Sequence, residues 1–351
     1  MKVFLAGTTV SSPEQEPIIQ SLFRVGCKLH SYYHSRDGGF EKNWFEVNMK
    51  NKVDLFLDSG AYSAWSQGLE IDIQEYIDFI KEHQDVIEVY ANLDVIGNAE
   101  TTWKNQMIME KAGLKPIPVF HYKDDRKWLK RYLKRGYDYI ALGGLVTSDR
   151  ASIFNFLDDM FLNYLCDSSG IPIAKVHGFG LTSLRLMLRY PWYSVDSTSW
   201  VMTGRTGAVY VPRYAGGEWI YDKDSWKIMV SSRSPAAKEK GAHLASLSPG
   251  QKQIILDYIH SKGYKLGKSS FKTEAQDYKL EENEKWAEKR PEDKSAKRQV
   301  EIIEEEGISN KYQLRDEMNI IYFLDLEKSM PEWPWPFDPK ETAKNPGLGL
   351  I

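Results

Sequence analysis

The sequence predicts an α/β protein, a TIM-type (β/α)8 barrel carrying a mostly helical, basic C-terminal extension, on three observations. Eight short apolar or β-branched runs recur between residue 2 and about residue 200. Amphipathic stretches of helical period separate them. Several runs are apolar throughout, as the strands of a parallel sheet are when helices cover its outer face. Eight strands in this rhythm close naturally into a barrel, the rival being an open doubly wound sheet. The barrel is expected over residues 1–207. Residues 208–351 are expected to form a β-hairpin plus a helical region that completes it.

The candidate strands are Val3–Ala6, Lys28–Tyr33, Asp54–Leu57, Val89–Leu93, Ile117–His121, Tyr139–Leu142, Ile173–His177 and Tyr193–Val195. The helical segments between them carry start and stop signals. Ser12-Pro13 places a cap residue before a first-turn proline, and Asp72 opens Ile73, Tyr76, Ile77 and Ile80 at helical spacing. Ala99–Ala112 stops at Gly113, and Asp125–Arg135 stops at Gly136.

After residue 200 the rhythm changes. Ala208–Pro212 and Glu218–Tyr221, joined by Gly216-Gly217, read as a hairpin. Ser248-Pro249 starts a helix with Ile254, Ile255, Tyr258 and Ile259 on one face. Residues 274–306 read as a charged helical stretch broken at Pro291, Tyr312–Leu326 as a last helix, and Pro331–Pro339 as an extended tail.

Composition narrows the class. The chain of 351 residues is 42% hydrophobic and 27% charged, enough to bury a core and unlike a disordered protein. Two cysteines, Cys27 and Cys166, exclude a disulfide framework or a Cys-rich zinc cluster and suit a reducing compartment. No run approaches the ~20 apolar residues of a membrane span, so a soluble, cytoplasmic protein without membrane contact is expected. The net charge of −3 makes any polyanion site a local matter. Residues 230–273 supply such a patch, with eight Lys/Arg against two acids.

Barrel enzymes carry their reacting groups at the C-terminal strand ends. Here those ends hold Asp58, Asp94, His121, Gly143-Gly144, His177-Gly178 and Asp196. A single aspartate in such a place is as readily a helix N-cap. Three at one mouth, with two glycine turns, fit the carboxylate pair that cleaves a glycosidic bond. His121 and His177 lack metal-ligand spacing and read equally as rim residues, so no metal is expected.

These motifs together resemble the tRNA-guanine transglycosylase superfamily, most closely its DNA-acting relatives in 7-deazaguanine DNA modification systems of bacteria and phages. Asp58-Ser59-Gly60-Ala61-Tyr62 is similar to the family's Asp-Ser-Gly-Gly-Phe/Tyr motif, and Asn92-Leu93-Asp94 to its base-recognising segment. Gly143-Gly144-Leu145 is similar to its Gly-Gly-Leu turn, and His177-Gly178-Phe179-Gly180 to its Met-Gly-x-Gly turn. Asp196 stands at the family's spacing before Gly204-Arg205-Thr206-Gly207. Ser63 replaces the family's Gln, His177 its Met, and the Cys3His zinc site of the tRNA enzymes has no counterpart.

The resemblance implies exchange of guanine in a nucleic acid for a 7-deazaguanine, with 7-cyano-7-deazaguanine the implied base. Asp196 would be the nucleophile and Asp58 the acid/base. Asp94, Tyr62, Gly143, Gly144, Leu145, His121, His177 and Gly178 would surround the base. No cofactor is implied. The region after residue 208 departs from the tRNA enzymes, which favours DNA over tRNA, and phage origin would place the protein in the host cytoplasm. Arg205, Arg233, Lys238, Lys240, Lys252, Lys262, Lys265 and Lys268 are the candidates for gripping phosphates, unless they form a solvated face. The alternatives are an RNA-acting transglycosylase, a glycoside hydrolase using the same carboxylates, a metal-dependent hydrolase, and a catalytically inactive nucleic-acid-binding barrel.

Overall fold

The computed structural model describes residues 1–7, 27–36, 54–145, 149–181, 183–233, 242–293 and 295–339. The helix expected at Ser12-Pro13 lies outside them. The chain divides into two compact units, Met1–Ser199 with Phe323–Leu350, and Trp200–Tyr322.

The first unit is built on eight strands: β1 (Lys2–Ala6), β2 (Cys27–Ser31), β3 (Asp54–Asp58), β4 (Val89–Tyr90), β5 (Val119–His121), β6 (Tyr139–Gly143), β7 (Lys175–Gly178) and β8 (Ser194–Ser197). All eight expected strands are present, shifted by a few residues at most. Each pairs in parallel with its neighbour in the order β4-β3-β2-β1-β8-β7-β6-β5. The two ends of that order meet at a parallel bridge between Ala91 and Ile117. There Ile117 N donates to Tyr90 O at 2.9 Å and Asn92 N to Ile117 O at 3.0 Å. The ring is therefore closed in the (β/α)8 manner.

Helices between the strands follow their local signals. α1 (Ala61–Ser66) follows β3, and α2 (Ile73–Glu82) follows α1. Asp72 caps α2, accepting from Gln74 N at 2.7 Å and Glu75 N at 3.0 Å. Its buried Tyr76, Ile77 and Ile80 pack with Leu55 and Leu57 of β3. Each such side chain contributes about 1.5–3 kcal/mol on burial. α3 (Ala99–Lys111) is capped by Asn98, and α4 (Arg126–Arg135) by Asp125. α4 ends at Gly136 in the left-handed conformation. α5 (Arg150–Met160) follows β6, and α6 (Leu184–Arg189) follows β7.

The barrel interior is filled by Phe4, Ala6, Cys27, Leu29, Phe56, Ala91, Ile117, Val119, Tyr139 and Ala141. Side chains alternate along a strand, so the residue two positions beyond an inward one also faces inward. That period carries Asp58 after Phe56, His121 after Val119 and Gly143 after Ala141 to the C-terminal mouth. In the extended tail, Phe337 is buried and its N–H donates to Gly170 O at 2.9 Å.

The second unit corrects two expectations. The Gly216-Gly217 turn does join a hairpin, but of β10 (Arg213–Ala215) and β11 (Glu218–Ile220). β9 (Ala208–Val211) pairs instead with β12 (Trp226–Met229). The charged stretch 274–306 is not helical. It belongs to an antiparallel sheet of β13 (Lys268–Glu274), β15 (Arg298–Glu305) and β14 (Glu284–Trp286), with β15 in the middle. The extension is therefore mixed rather than mostly helical. Cross-strand pairs explain the charge: Lys272 Nζ lies 2.5 Å from Glu284 Oε1, and Lys268 Nζ 2.6 Å from Glu304 Oε2. α7 (Ser199–Arg205), α8 (Pro249–Ser261) and α9 (Tyr312–Ser329) are helical, α8 with the Ser248/Gln251 capping box. Val209, Val211, Ile228, Ile255, Tyr258, Ile259 and Met318 form this unit's core.

Candidate active site

Asp58 closes β3, and the turn after it shapes the site. Gly60 has φ 77°, and its N–H donates to Asp58 Oδ2 at 3.0 Å. A Cβ on Gly60 would stand 2.3 Å from Tyr33 Cβ and 2.4 Å from Ser31 Oγ, so the turn admits no side chain. It leads directly into α1, which leaves Tyr62 and Trp65 more than half exposed with ring centroids 5.9 Å apart.

Asp94 follows β4 and is buried, with both carboxylate oxygens engaged. Ser59 Oγ donates to Oδ1 at 2.9 Å, and His121 Nε2 lies 2.9 Å from Oδ2. His121 is held in turn by Asp124: its backbone N–H donates to Asp124 Oδ2 at 3.1 Å, and its Nδ1 stands 3.6 Å from the same oxygen. Burial alone would lower the pKa of this ring. The carboxylates of Asp124 and Asp94 outweigh burial and raise it to about 10, so the imidazole is a cation at neutral pH. Next to it, Gly144 takes φ 75° and Leu145 is buried.

Asp196 lies on β8 and is buried, with Gly180 N donating to its Oδ1 at 2.7 Å. His177 Nε2 is 3.3 Å from that oxygen. His177 itself is fully enclosed, 4.5 Å from the Phe56 ring and 4.6 Å from the Phe179 ring. Its Nδ1 lies 2.6 Å from Ser194 Oγ, which is also 2.6 Å from Tyr139 OH. His177 thus sits in the barrel core against Asp196 and presents no free face to a ligand. Gly178 is buried too, and a Cβ there would be 3.1 Å from the Trp192 ring.

The three carboxylates act on one another. Burial raises the pKa of Asp58 first, the charges of Asp94 and Asp196 raise it further, and the amides of Gly60 and Ser59 only partly oppose them, leaving it at about 8. Asp58 keeps part of its surface exposed, whereas Asp94 and Asp196 are buried. One cavity, of about 340 Å³, lined by Tyr32, Arg36, Leu69 and Glu75 among others, holds none of these groups.

The structure thus brings Asp58, Asp94, His121, Gly143, Gly144, Leu145 and Asp196 to one end of the ring, with Tyr62 at its edge. Sequence reasoning missed Ser59, Asp124 and Gly180. Ser59 has no role of its own in the Asp-Ser-Gly run, and Asp124 stands three residues after His121, a spacing that a loop alone does not interpret.

The expected phosphate-gripping residues fare differently. Arg205, Arg233, Lys252, Lys262, Lys265 and Lys268 belong to the second unit, and Lys238 and Lys240 lie outside the described residues. Arg233 is committed to structure, with its Nε 3.1 Å from the fully buried Glu301 and Nη1 donating to Trp286 O at 3.1 Å. Lys265 pairs with Glu305 at 3.0 Å and Lys268 with Glu304 at 2.6 Å, both exposed pairs that contribute little to stability. Among the described residues no group of His, Cys, Asp and Glu is arranged to hold a metal ion, and no helix is long and apolar enough to cross a membrane.

No family model and no curated protein matches the chain. Solved structures similar to it include a protein of Aquifex aeolicus VF5, 13% identical with TM-score 0.34, covering 57% of this chain and 84% of that one. Another is a mutant tryptophan synthase alpha-subunit from the hyperthermophile Pyrococcus furiosus, 13% identical with TM-score 0.36, covering 59% of this chain and 91% of that one. The strand order, rather than these distant likenesses, defines the fold.

Proposed function

We propose that the chain is a base-exchange transglycosylase that replaces guanine in a nucleic acid, DNA in preference to tRNA, with a 7-deazaguanine. The observation that carries this reading is the placement of Asp58, Asp94 and Asp196 together at one barrel mouth, where burial and the other two carboxylates raise the pKa of Asp58. A carboxyl that holds its proton can serve as the acid while a second carboxylate at the same mouth serves as the nucleophile. Asp196, oriented by the Gly180 amide, attacks the anomeric carbon. The glycosidic bond breaks, its electron pair passes to the base nitrogen, and that nitrogen takes the proton of Asp58. In the return step the incoming base gives a proton to Asp58 and attacks the same carbon, and the ester to Asp196 breaks.

Asp94 keeps lone pairs on both oxygens after accepting from Ser59 and His121, and these can accept N–H groups of the base edge. A base within a stacked strand must be turned out to reach these groups. Tyr62, exposed beside Asp58, supplies a stacking face.

The test is incubation with labelled guanine or 7-cyano-7-deazaguanine and DNA or tRNA, followed by denaturing electrophoresis. Wild-type protein should incorporate label and yield a covalent protein–strand adduct, and Asp196→Ala should do neither. An active Asp196→Ala variant would rule out the nucleophile.

A second reading, a glycoside hydrolase, is favoured by the exposed Tyr62–Trp65 pair, which suits a sugar face as well as a base. Release of reducing sugar from an oligosaccharide without base exchange would select it.

A further inference from the structure

The first unit carries a concentration of positive charge that the mouth chemistry does not use. α4 reads Arg-Lys-Trp-Leu-Lys-Arg-Tyr-Leu-Lys-Arg, six cations in ten residues with no acid. Leu129 and Tyr132 are buried and fix the inner face of the helix. Lys127, Lys130, Arg131 and Lys134 are consequently exposed, as is Lys123 in the loop from β5. Lys127 and Arg131, Lys130 and Lys134, and Arg131 and Arg135 are like-charge pairs at i,i+4, which destabilise the helix.

Acids neutralise only part of this face. Arg126 pairs with Asp159 at 3.1 Å, Arg135 with Glu110 at 2.8 Å and Lys127 with Asp125 at 3.5 Å. Lys123, Lys130, Arg131 and Lys134 have no acid at ion-pair distance among the described residues. Aromatic rings interleave with the cations. The Arg131 guanidinium lies 4.8 Å from the Trp103 ring centre and 5.0 Å from that of Trp128, and both indoles are partly exposed.

We propose that α4, with Trp103 of α3, is a nucleic-acid-binding face that grips the backbone of the strand being modified. Its charge is spread along about 15 Å of helix rather than converging on one point, which suits a chain of phosphates. Indole faces beside arginines suit unstacked bases. α4 leaves the β5 end that carries His121, so Lys123 and Lys127 lie toward the mouth and Lys134 away from it. A strand laid along the helix is thereby led to the carboxylates. This inference deepens the base-exchange reading and rests on it for the identity of the strand as substrate.

The test is fluorescence anisotropy of the full chain with fluorescein-labelled oligonucleotides of about 20 residues, as single-stranded DNA, duplex DNA and RNA, over a salt series. The triple variant Lys130→Glu/Arg131→Glu/Lys134→Glu changes exposed positions only, and circular dichroism checks its fold. It should bind the preferred oligonucleotide at least about tenfold more weakly, with a salt slope smaller by about 2. A matched reversal in the second unit, Lys252→Glu/Lys262→Glu/Lys265→Glu, should weaken binding less. Equal loss in both variants, unchanged binding in the α4 variant, no oligonucleotide binding by wild type, or preference for phosphatidylserine vesicles over strands would each overturn the proposal. Asp196→Ala keeps the two readings apart: it should bind strands like wild type while forming no adduct. Loss of base exchange with the α4 effect intact would remove only the chemistry.

Discussion

His121 bears on Gly143 so closely that a Cβ at position 143 would stand 2.7 Å from His121 Cδ2 and 3.1 Å from its Nε2. Nε2 is the atom that meets Asp94, so the absent side chain on β6 sets the position of the Asp94 carboxylate across β5. Gly143→Ala should push the ring off Asp94. Loss of about 1–3 kcal/mol in a denaturation experiment is expected for such overpacking. Exchange should fall by as much as about 100-fold, the order produced by misplacing a reacting group by 1 Å. Wild-type exchange in that variant would show that the His121–Asp94 contact does not matter.

Asp58 has a pKa of about 8 in the folded protein against 3.8 in an unfolded chain. A carboxyl whose folded value is raised contributes stability that is complete below the unfolded value and is lost as pH rises through the folded one. Wild-type protein should therefore lose stability between about pH 4 and pH 8 relative to Asp58→Asn. Base release should decline above about pH 8 as the acid ionises, and Asp58→Asn should slow it by about 10²–10⁴. Parallel pH profiles for melting and exchange check both.

The His121 ring titrates near 10 because Asp124 and Asp94 flank it against the pull of burial. Here the raised group is a base, so its contribution is complete below about 6.5 and lost as pH climbs through 10. Asp124→Asn should lower the His121 titration midpoint, read by NMR of the ring, and reduce the loss of stability on the alkaline side. An unmoved midpoint would assign the shift to Asp94 alone.

Ser194 Oγ serves two buried partners, Tyr139 OH and His177 Nδ1, each at 2.6 Å. Ser194→Ala leaves both without a partner in the barrel core, a cost of about 1–3 kcal/mol for each unsatisfied group. Thermal melting should show a drop of several degrees. Because His177 leans on Asp196, adduct formation should slow as well.

The barrel was legible because each strand is a local apolar run and each of several helices announces itself with a cap. Asp72 and Asp125 were readable as starts without knowing any partner, as was Ser248 in the second unit. Residues 274–306 were not, because β14 and β15 hold charged residues whose partners lie across the sheet, as Lys285 and Glu301 do at 3.6 Å. Charges that alternate for cross-strand pairing look like a solvated helix when the pairing is unseen. The mouth carboxylates were visible as strand-end residues. Their supports were not: Asp124 reaches His121 through a turn, and Gly180 reaches Asp196 by its amide, which any residue possesses. The basic face of α4 was written openly in residues 126–135, yet a richer count of lysines at 230–273 drew the reading elsewhere.

β4 is only two residues long, and a single bridge between Ala91 and Ile117 joins it to β5. Directly above this thin seam, Asp94 from the β4 side and His121 from the β5 side clasp one another. The Asp94–His121 latch therefore also holds the staves together. Any partner that draws Asp94 away from His121 loosens the ring at this single-bridge joint, and amide exchange at Asn92 and Ile117 registers it.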